Sequence, residues 1–419
     1  MNRRDFLKLA GLAGLSVAAP LPWSGVARGQ DQLYDGPLYL VVHASGGWDP
    51  TSLCDPKGSM TPDDPDPVNR YLRDDIRSPS GSSPIQWAPF GTNEAFFSRY
   101  YDRLLVLNGL DTSTNNHAVG PRHIHSGTLN EGHPAFAALV AAQNAGTSPL
   151  SFITYGGYDI TRGVVSRTRL GNISAITRVA HPNRLDDDSI YHTEATLQRI
   201  RDAQSARLER LASRQLLPRL KRSLGTLRTA RVSDNALVRL NDHLPDLDAF
   251  DTNIGEQGAL AIAAWQAGLC VSANLSTGGF DTHGNHDVNQ ATALTRLTDG
   301  LVEILQHAEN LGVDDRIILI VGSDFGRTPS YNDGNGKDHW PITSMLLMGP
   351  GIPGNTVIGH SDERHRALPI NPDTLEPDDS GVILKPIHVQ RALRKLAGVT
   401  NDDLVAGYPL VGEDLPLFG

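Results

Sequence analysis

Short apolar segments that each end in a turn rich in glycine, aspartate or histidine constrain the fold of this chain more than any other feature. The clearest is 316–321 (RIILIV), which runs into 322–328 (GSDFGRT). Similar segments occur at 37–44, 104–107, 151–155, 269–275 and 344–348, and helical patterns occur at 93–102, 133–144, 258–267, 288–311 and 386–396. Strands that alternate with helices predict an α/β fold with a mainly parallel central sheet and helices on both faces.

The charge and the cysteine count exclude several classes of protein. A net charge of −10 argues against a general nucleic-acid binder, which needs a basic surface. Two cysteines, Cys54 and Cys270, are too few for a disulfide scaffold or a four-cysteine zinc module. They either pair with each other outside the cytoplasm or remain buried thiols.

The N-terminal residues 1–27 have the features of a twin-arginine signal peptide. Arg3 and Arg4 precede a mildly apolar stretch at 9–19, and 25–27 (GVA) fits a cleavage site with small residues. The pattern predicts recognition by the twin-arginine export machinery and a periplasmic or otherwise exported protein that is soluble after cleavage. No apolar run approaches about 18 residues, so we expect no stable membrane span.

A basic segment interrupts this acidic chain. Residues 194–232 contain ten arginines or lysines and three acids, with leucine and alanine at helical spacing. They predict one or two amphipathic helices inserted at 194–250 into a single α/β domain, whose parts are 28–193 and 251–419. The basic face is either a solvated outer surface or a surface for an anionic polymer or lipid.

Acidic residues and histidines follow the predicted strands. Asp49 follows the first strand, Asp281 and His283 follow the strand at 269–275, and Asp324 follows 316–321. Ligands bind at the carboxyl ends of parallel strands, so these side chains should share one edge of the sheet, and 338–339 (DH) can fold back to it. Carboxylates and imidazoles suit Zn, Mn, Mg or Ca, which predicts one or more divalent metal ions. His286 is either a further ligand or partner, or a surface histidine.

A second histidine-rich segment spans 117–127. On an extended backbone, His123 and His125 would face the same way. Arg122 suits a clamp for phosphate or sulfate oxygens, and Arg327 either contacts an anion or pairs with an acid. The alternative is a polar loop with ordinary surface histidines.

With these motifs, the chain resembles domain-of-unknown-function family 1501, exported bacterial proteins placed in the alkaline phosphatase and sulfatase-like superfamily. The resemblance runs from Tyr39 to about Gly359 and is carried by 46–49 (GGWD), 101–109 (YDRLLVLNG), 279–283 (GFDTH), 323–328 (SDFGRT) and 338–339 (DH). It implies an alkaline-phosphatase-like α/β sandwich that hydrolyses phosphate or sulfate esters with metals. By motif position, the resemblance implies these metal ligands: Asp49, Asp324, Asp338 and His339, with Asp281 and His283 on a second or shared metal.

Two positions depart from that superfamily pattern. Phe325 stands where active members have a histidine directly after the aspartate, and His339 could replace that ligand from the loop. The nucleophile position falls in 112–117 and is occupied by His117, so Thr114, Ser126 or a metal-activated water would attack. We therefore expect an exported metal-dependent hydrolase of small anionic phosphate or sulfate esters. The alternatives are a non-catalytic binding or assembly protein with the same fold, and a hydrolase of an amide or a sugar-polymer substituent.

Overall fold

The computed structural model of the protein describes most of the chain. The described residues are 33–79, 81–144, 150–171, 173, 177, 180–181, 183–185, 189–214, 234–399 and 403–419. The predicted signal peptide, 1–27, lies outside them, as do residues 215–233 of the predicted insertion.

An eight-stranded sheet forms the centre of the fold. Its strands, in sheet order, are β10 (Thr356–Ile358), β2 (Leu105–Asp111), β9 (Ile342–Met348), β6 (Ile317–Ser323), β1 (Leu38–Ala44), β5 (Ser272–Thr277), β3 (Phe152–Thr154) and β4 (Arg167–Thr168). Neighbouring strands are parallel except where β9 pairs with β2 and with β6. The prediction of a mainly parallel sheet is confirmed.

Helices cover both faces of this sheet. They are α1 (Asn93–Tyr100), α2 (Gly120–Ser126), α3 (Phe136–Asn144), α4 (Glu194–Arg214), α5 (Asp234–Asn241), α6 (Asn253–Gln266), α7 (His286–Leu311), α8 (Pro386–Leu396) and α9 (Asp403–Gly407). Two short ribbons, β7 (Gly326–Arg327) with β8 (His339–Trp340) and β11 (His360–Ser361) with β12 (Ala367–Leu368), lie beside the sheet.

Strand β1 shows how the sheet separates two apolar layers. Leu38, Leu40 and Val42 belong to one buried cluster with residues of α6 and α7, whereas Tyr39 and Val41 belong to another with residues of α3 and α8. Successive side chains of a strand point to opposite faces, so a strand buried on both sides is apolar at almost every position. This arrangement is the predicted α/β sandwich.

The segment around His123 is helical, so the prediction of an extended backbone there is wrong. Pro121 lies in the first turn of α2, where its missing N–H costs no hydrogen bond, and Gly127 ends the helix at φ +81°. Residues two apart on a helix point to different sides. His123 Nδ1 therefore donates to the carbonyl oxygen of Thr112 (2.7 Å), while His125 faces His43.

The predicted basic insertion contains two α-helices among its described residues, α4 (Glu194–Arg214) and α5 (Asp234–Asn241). Most side chains of α4 are exposed, and Arg201 lies 3.7 Å from Glu194. Its domain boundaries stay a prediction. Within the described ranges, the helices lack the combination of length and apolar character needed to cross a bilayer. Cys54 and Cys270 are both buried free thiols.

Candidate metal centre

The candidate site lies at the carboxyl end of three adjacent strands. Ala44 at the end of β1 pairs with Thr277 of β5 and with Ser323 of β6, so the loops after these strands start side by side. His117 and Asp281, from two loops, and His339, from the short strand β8, bring ligand atoms within 4.8 Å of one another. One edge of the sheet thus carries His117 together with five predicted metal ligands: Asp281, His283, Asp324, Asp338 and His339.

Three histidines of this cluster are oriented in the same way. His117 Nδ1 lies 2.6 Å from Asp324 Oδ2, His283 Nδ1 lies 2.7 Å from Asp338 Oδ1, and His339 Nδ1 lies 2.9 Å from the Asn115 carbonyl oxygen. A carbonyl or an ionised carboxylate can only accept a hydrogen bond, so each Nδ1 carries the proton and donates it. A neutral ring then has its lone pair on Nε2.

The three Nε2 atoms face the same carboxylate. Asp281 Oδ1 lies 3.1 Å from His283 Nε2 and 3.3 Å from His339 Nε2, and Asp281 Oδ2 lies 3.6 Å from His117 Nε2. His283 Nε2 is also 2.9 Å from His339 Nε2. Lone pairs that face lone pairs repel each other unless a cation lies between them.

The spacing of these atoms fits a metal ion. Four ligands at about 2.1 Å from a tetrahedral zinc ion would lie about 3.4 Å apart. The Asp281 carboxylate oxygens lie at distances close to that value from His339 Nε2 (3.3 Å) and His117 Nε2 (3.6 Å), and one ligand atom from each of the three residues lies within 4.8 Å of the others. Imidazole nitrogen with one carboxylate oxygen is the donor set of zinc and similar borderline ions, so these residues fit a divalent metal. Each imidazole also has the Nδ1 acceptor that metal-binding histidines require.

Arg327 orients Asp281 rather than offering a free guanidinium group. It is fully buried, and it donates to Asp281 Oδ1 (2.7 Å), the Gly47 carbonyl (2.7 Å), the Lys337 carbonyl (3.0 Å) and the Gly46 carbonyl. Burial alone would raise the pKa of Asp281, but the hydrogen bond and charge of Arg327 outweigh burial and lower it. Of the two predicted roles, pairing with an acid is the one observed.

Asp324 lies behind His117, and one residue that holds it, His43, was missed from the sequence. His43 Nε2 lies 3.0 Å from Asp324 Oδ1, which also accepts the Gly46 N–H (3.3 Å). His43 Nδ1 in turn lies 3.0 Å from His125 Nε2. Burial would raise the pKa of Asp324, but the hydrogen bonds from His43 and then His117 lower it. Asp324 thus positions His117. The only signal for His43 was a single histidine near the end of an apolar strand.

Asp49 forms a separate buried cluster, so the expectation that it joins the other acids in one group is wrong. Its Oδ2 lies 2.6 Å from Lys337 Nζ and 3.0 Å from His286 Nε2, and its Oδ1 accepts from the Thr51 N–H (2.9 Å) and hydroxyl (2.6 Å). Burial opposes ionisation, but the Lys337 ammonium and the His286 hydrogen bond hold the pKa of Asp49 well below its ordinary value. His286 is thus a buried partner of Asp49 and not a surface residue.

The other predicted catalytic residues make contacts away from the metal cluster. The guanidinium of Arg122 donates to the Leu129 carbonyl (2.8 Å) and reaches Glu131 (3.3 Å). The Ser126 hydroxyl donates to the carbonyl of Arg122 in its own helix (2.7 Å). Thr114 accepts the Asn116 N–H (3.3 Å) within the loop before His117.

Phe325 packs between two histidines of the cluster. Its ring centroid lies 4.8 Å from that of His117 and 4.5 Å from that of His339. The residue that departs from the superfamily motif therefore supports two of the imidazoles sterically instead of supplying a ligand.

A family comparison matches the part of the chain that contains most of this site. The family described as "Protein of unknown function (DUF1501)" matches residues 158–376, just over half of the chain. The chain belongs to this family. The family prediction made from the motifs is confirmed. No curated protein matches this DUF1501 member significantly.

Solved structures similar to this DUF1501 member include an alkaline phosphatase, a lipoteichoic acid synthase and a sulfatase. Alkaline phosphatase from the Antarctic bacterium TAB5 is 11% identical, with a TM-score of 0.37 and coverage of 88% of this chain and 100% of that one. The lipoteichoic acid synthase LtaP from Listeria monocytogenes is 10% identical (TM-score 0.39; coverage 99% and 80%). The PsFucS1 sulfatase from Pseudoalteromonas sp. is 9% identical (TM-score 0.38; coverage 87% and 68%). Similarity at this level concerns only the path of the backbone, so the chemistry has to be inferred from the residues of the site.

Proposed function

We propose that this protein is a metal-dependent hydrolase whose ion is held by His117, Asp281 and His339, with His283 beside them. The observation that carries the proposal is that one ligand atom each from His117, Asp281 and His339 lies within 4.8 Å of the others, while Nδ1 of both rings donates its proton elsewhere. The chemistry that a divalent ion supplies there is Lewis-acid polarisation of the scissile group and activation of water.

The remaining residues of the site hold these ligands and His283 in place. Asp324 and Asp338 fix the tautomers and ring orientations of His117 and His283. Arg327 keeps the Asp281 carboxylate ionised and in position. The side chains of Asp281 and His283 are 49% and 46% exposed, which leaves the cluster open to a substrate from solvent.

The substrate class that we propose is a small phosphate or sulfate ester, as the motif resemblance implies. An ester oxygen would face the exposed side of Asp281 and His283, where the cluster meets solvent. The leaving group would then depart into water rather than into the protein.

One observation favours a second candidate, a binding or assembly protein that keeps the metal site without turnover. The two arginines expected to clamp an anion, Arg122 and Arg327, are engaged with carbonyl groups and acids. Anionic esters are usually held by free guanidinium or ammonium groups. The two candidates predict the same metal content and differ in turnover.

Metal analysis combined with turnover assays tests the proposal. Purified mature protein should retain a stoichiometric divalent ion and hydrolyse aryl phosphates or aryl sulfates. His339→Ala should lose both properties, whereas His243→Ala, at an exposed histidine outside the cluster, should keep both. Bound metal without turnover under Zn, Mn, Mg or Ca would support the second candidate. Protein that stays metal-free under all four ions would contradict both.

We also propose export by the twin-arginine route. Changing Arg3 and Arg4 together to lysine should leave the precursor in the cytoplasm, where cell fractionation and the size of the protein would reveal it. Normal export and processing of that variant would contradict the proposal.

A further inference from the structure

A lysine and an aspartate, both completely buried, lie next to the candidate metal centre without belonging to it. Lys337 and Asp49 have side chains with 0% exposure, and Lys337 Nζ lies 2.6 Å from Asp49 Oδ2. Charged side chains rarely leave water completely, because each ion loses its hydration when it is buried. The contacts around the pair must therefore replace that hydration.

Every N–H of the Lys337 ammonium has an oxygen acceptor. Besides Asp49 Oδ2, the ammonium contacts Asn69 Oδ1 at 2.9 Å and Thr51 Oγ1 at 3.4 Å. Asn69 is held in this orientation because its Nδ2 donates to the Thr51 carbonyl, the Thr51 hydroxyl and the Lys57 carbonyl. A carboxylate, an amide oxygen and a hydroxyl are the ligands that hard cations such as Mg²⁺ and Ca²⁺ take in proteins.

The Asp49 carboxylate has no remaining capacity for another cation. Its Oδ1 accepts two hydrogen bonds from Thr51, and its Oδ2 accepts from Lys337, from His286 (3.0 Å) and from the Ser52 hydroxyl (3.2 Å). Two carboxylate oxygens offer about four lone-pair sites, and five donors already point at them. A metal ion could bind Asp49 only if the ammonium left the pocket. The residues present therefore do not fit a second metal ion at Asp49.

The loop that carries Lys337 also carries two residues of the metal centre. The Lys337 N–H donates to the Thr282 carbonyl (3.0 Å), and its carbonyl accepts from Arg327 (3.0 Å). The next two residues, Asp338 and His339, turn to His283 and Asp281. One backbone segment thus places the Lys337 ammonium beside Asp49 and contributes Asp338 and His339 to the neighbouring cluster.

We propose that the Lys337 ammonium is a built-in substitute for a second metal ion: the pocket formed by Asp49, Thr51 and Asn69 is a cation site that the chain fills with its own side chain. The protein therefore binds one divalent ion, at His117, Asp281 and His339, and none at Asp49. This inference rests on the proposed metal centre only for the count of one ion, and the pocket itself is tested independently.

The first experiment counts metal ions in the whole mature protein. After loading with excess Zn²⁺ or Mn²⁺ and dialysis, elemental analysis should give one ion per chain, and Asp49→Asn should also give one. Two ions per chain, with the second lost in Asp49→Asn, would overturn the proposal. A count of zero would contradict the proposed metal centre and leave the second experiment to decide on the pocket.

The second experiment empties the pocket. Lys337→Ala removes the ammonium and leaves Asp49 with its oxygen neighbours. The Tm of this variant should rise with the concentration of added Mg²⁺ or Ca²⁺, because these ions bind only the folded state. The matched control is Asp49→Asn combined with Lys337→Ala, which should show only the response of the wild type. Equal responses of the single and double variants would overturn the proposal. If Lys337→Ala folds under no condition, the metal count in the wild type decides alone.

Discussion

Replacement of Asp324 by asparagine tests whether metal binding depends on the residues behind the ligands. In the structure, Asp324 accepts from three donors: His117 Nδ1–H on Oδ2, and His43 Nε2–H and the Gly46 N–H on Oδ1. An asparagine has one oxygen and one NH₂ group. The oxygen should stay on the side with two donors, so the NH₂ would point at His117 Nδ1–H.

Two donors that face each other force His117 to rotate or to move its proton to Nε2, and either change removes its lone pair from the metal. Loss of such a carboxylate behind a metal-binding histidine typically costs 10–100-fold in affinity, or about 1.4–2.8 kcal/mol. The buried donor left without an acceptor should also lower the free energy of unfolding by about 1–3 kcal/mol.

Competition with a chelator would measure the metal affinity of Asp324→Asn, and urea unfolding in excess chelator would measure its stability without metal. The matched control is Asp287→Asn, because Asp287 contacts Arg70 and Tyr331 and no histidine of the cluster. The control should stay within twofold of the wild-type affinity. An affinity of Asp324→Asn as high as that of the control would refute the role assigned to Asp324.

Three further predictions concern stability and local geometry. Lys337→Met should lower the free energy of unfolding by about 3–5 kcal/mol, because it leaves Asp49 buried without its partner, and adding Asp49→Asn should recover most of the loss in urea unfolding. Burial, together with the neighbouring His43, lowers the pKa of His125. Below about pH 6.5 the unfolded chain therefore takes up a proton at this position that the folded chain does not. The free energy of unfolding should fall from pH 7.5 to pH 5, and it should fall less in His125→Gln. Gly46→Ala should lower the free energy of unfolding by about 1–3 kcal/mol and weaken metal binding, because Gly46 has φ +119° and a Cβ there would lie 2.5 Å from the backbone nitrogen of Asp281. A calorimetric stability and a metal affinity equal to those of the wild type would contradict this prediction.

The positions of the strands along the chain and the edge of the sheet that carries the site could be predicted because both follow from local patterns. An apolar run such as that of β6 is a buried strand wherever it lies, and parallel strands place their carboxyl ends together. The positions of Asp281 and Asp324 at one edge are therefore a consequence of topology, whereas His339 joins them from the antiparallel ribbon of β7 and β8. The extended backbone expected around His123 failed because a Gly-Pro start and a final glycine are signals of a short helix as well as of a loop.

The division of the acids between two clusters could not be predicted, because it depends on which distant side chain reaches each one. Nothing local to Asp49 indicates that Lys337, almost 300 residues later, enters its pocket, and a lysine in a Gly/Asn/Asp loop is usually exposed. His43 was missed for a similar reason. Its partners, Asp324 and His125, are distant in sequence and contact it only in the folded structure.

Anomalous X-ray scattering from a crystal of the metal-loaded protein tests the central claim most directly. We predict one strong anomalous peak per chain, about 2.0–2.2 Å from His117 Nε2, His339 Nε2 and an oxygen of Asp281, with the Lys337 ammonium still on Asp49. A crystal grown in excess metal without a peak among those three residues, or with its peak beside Asp49, would contradict the account.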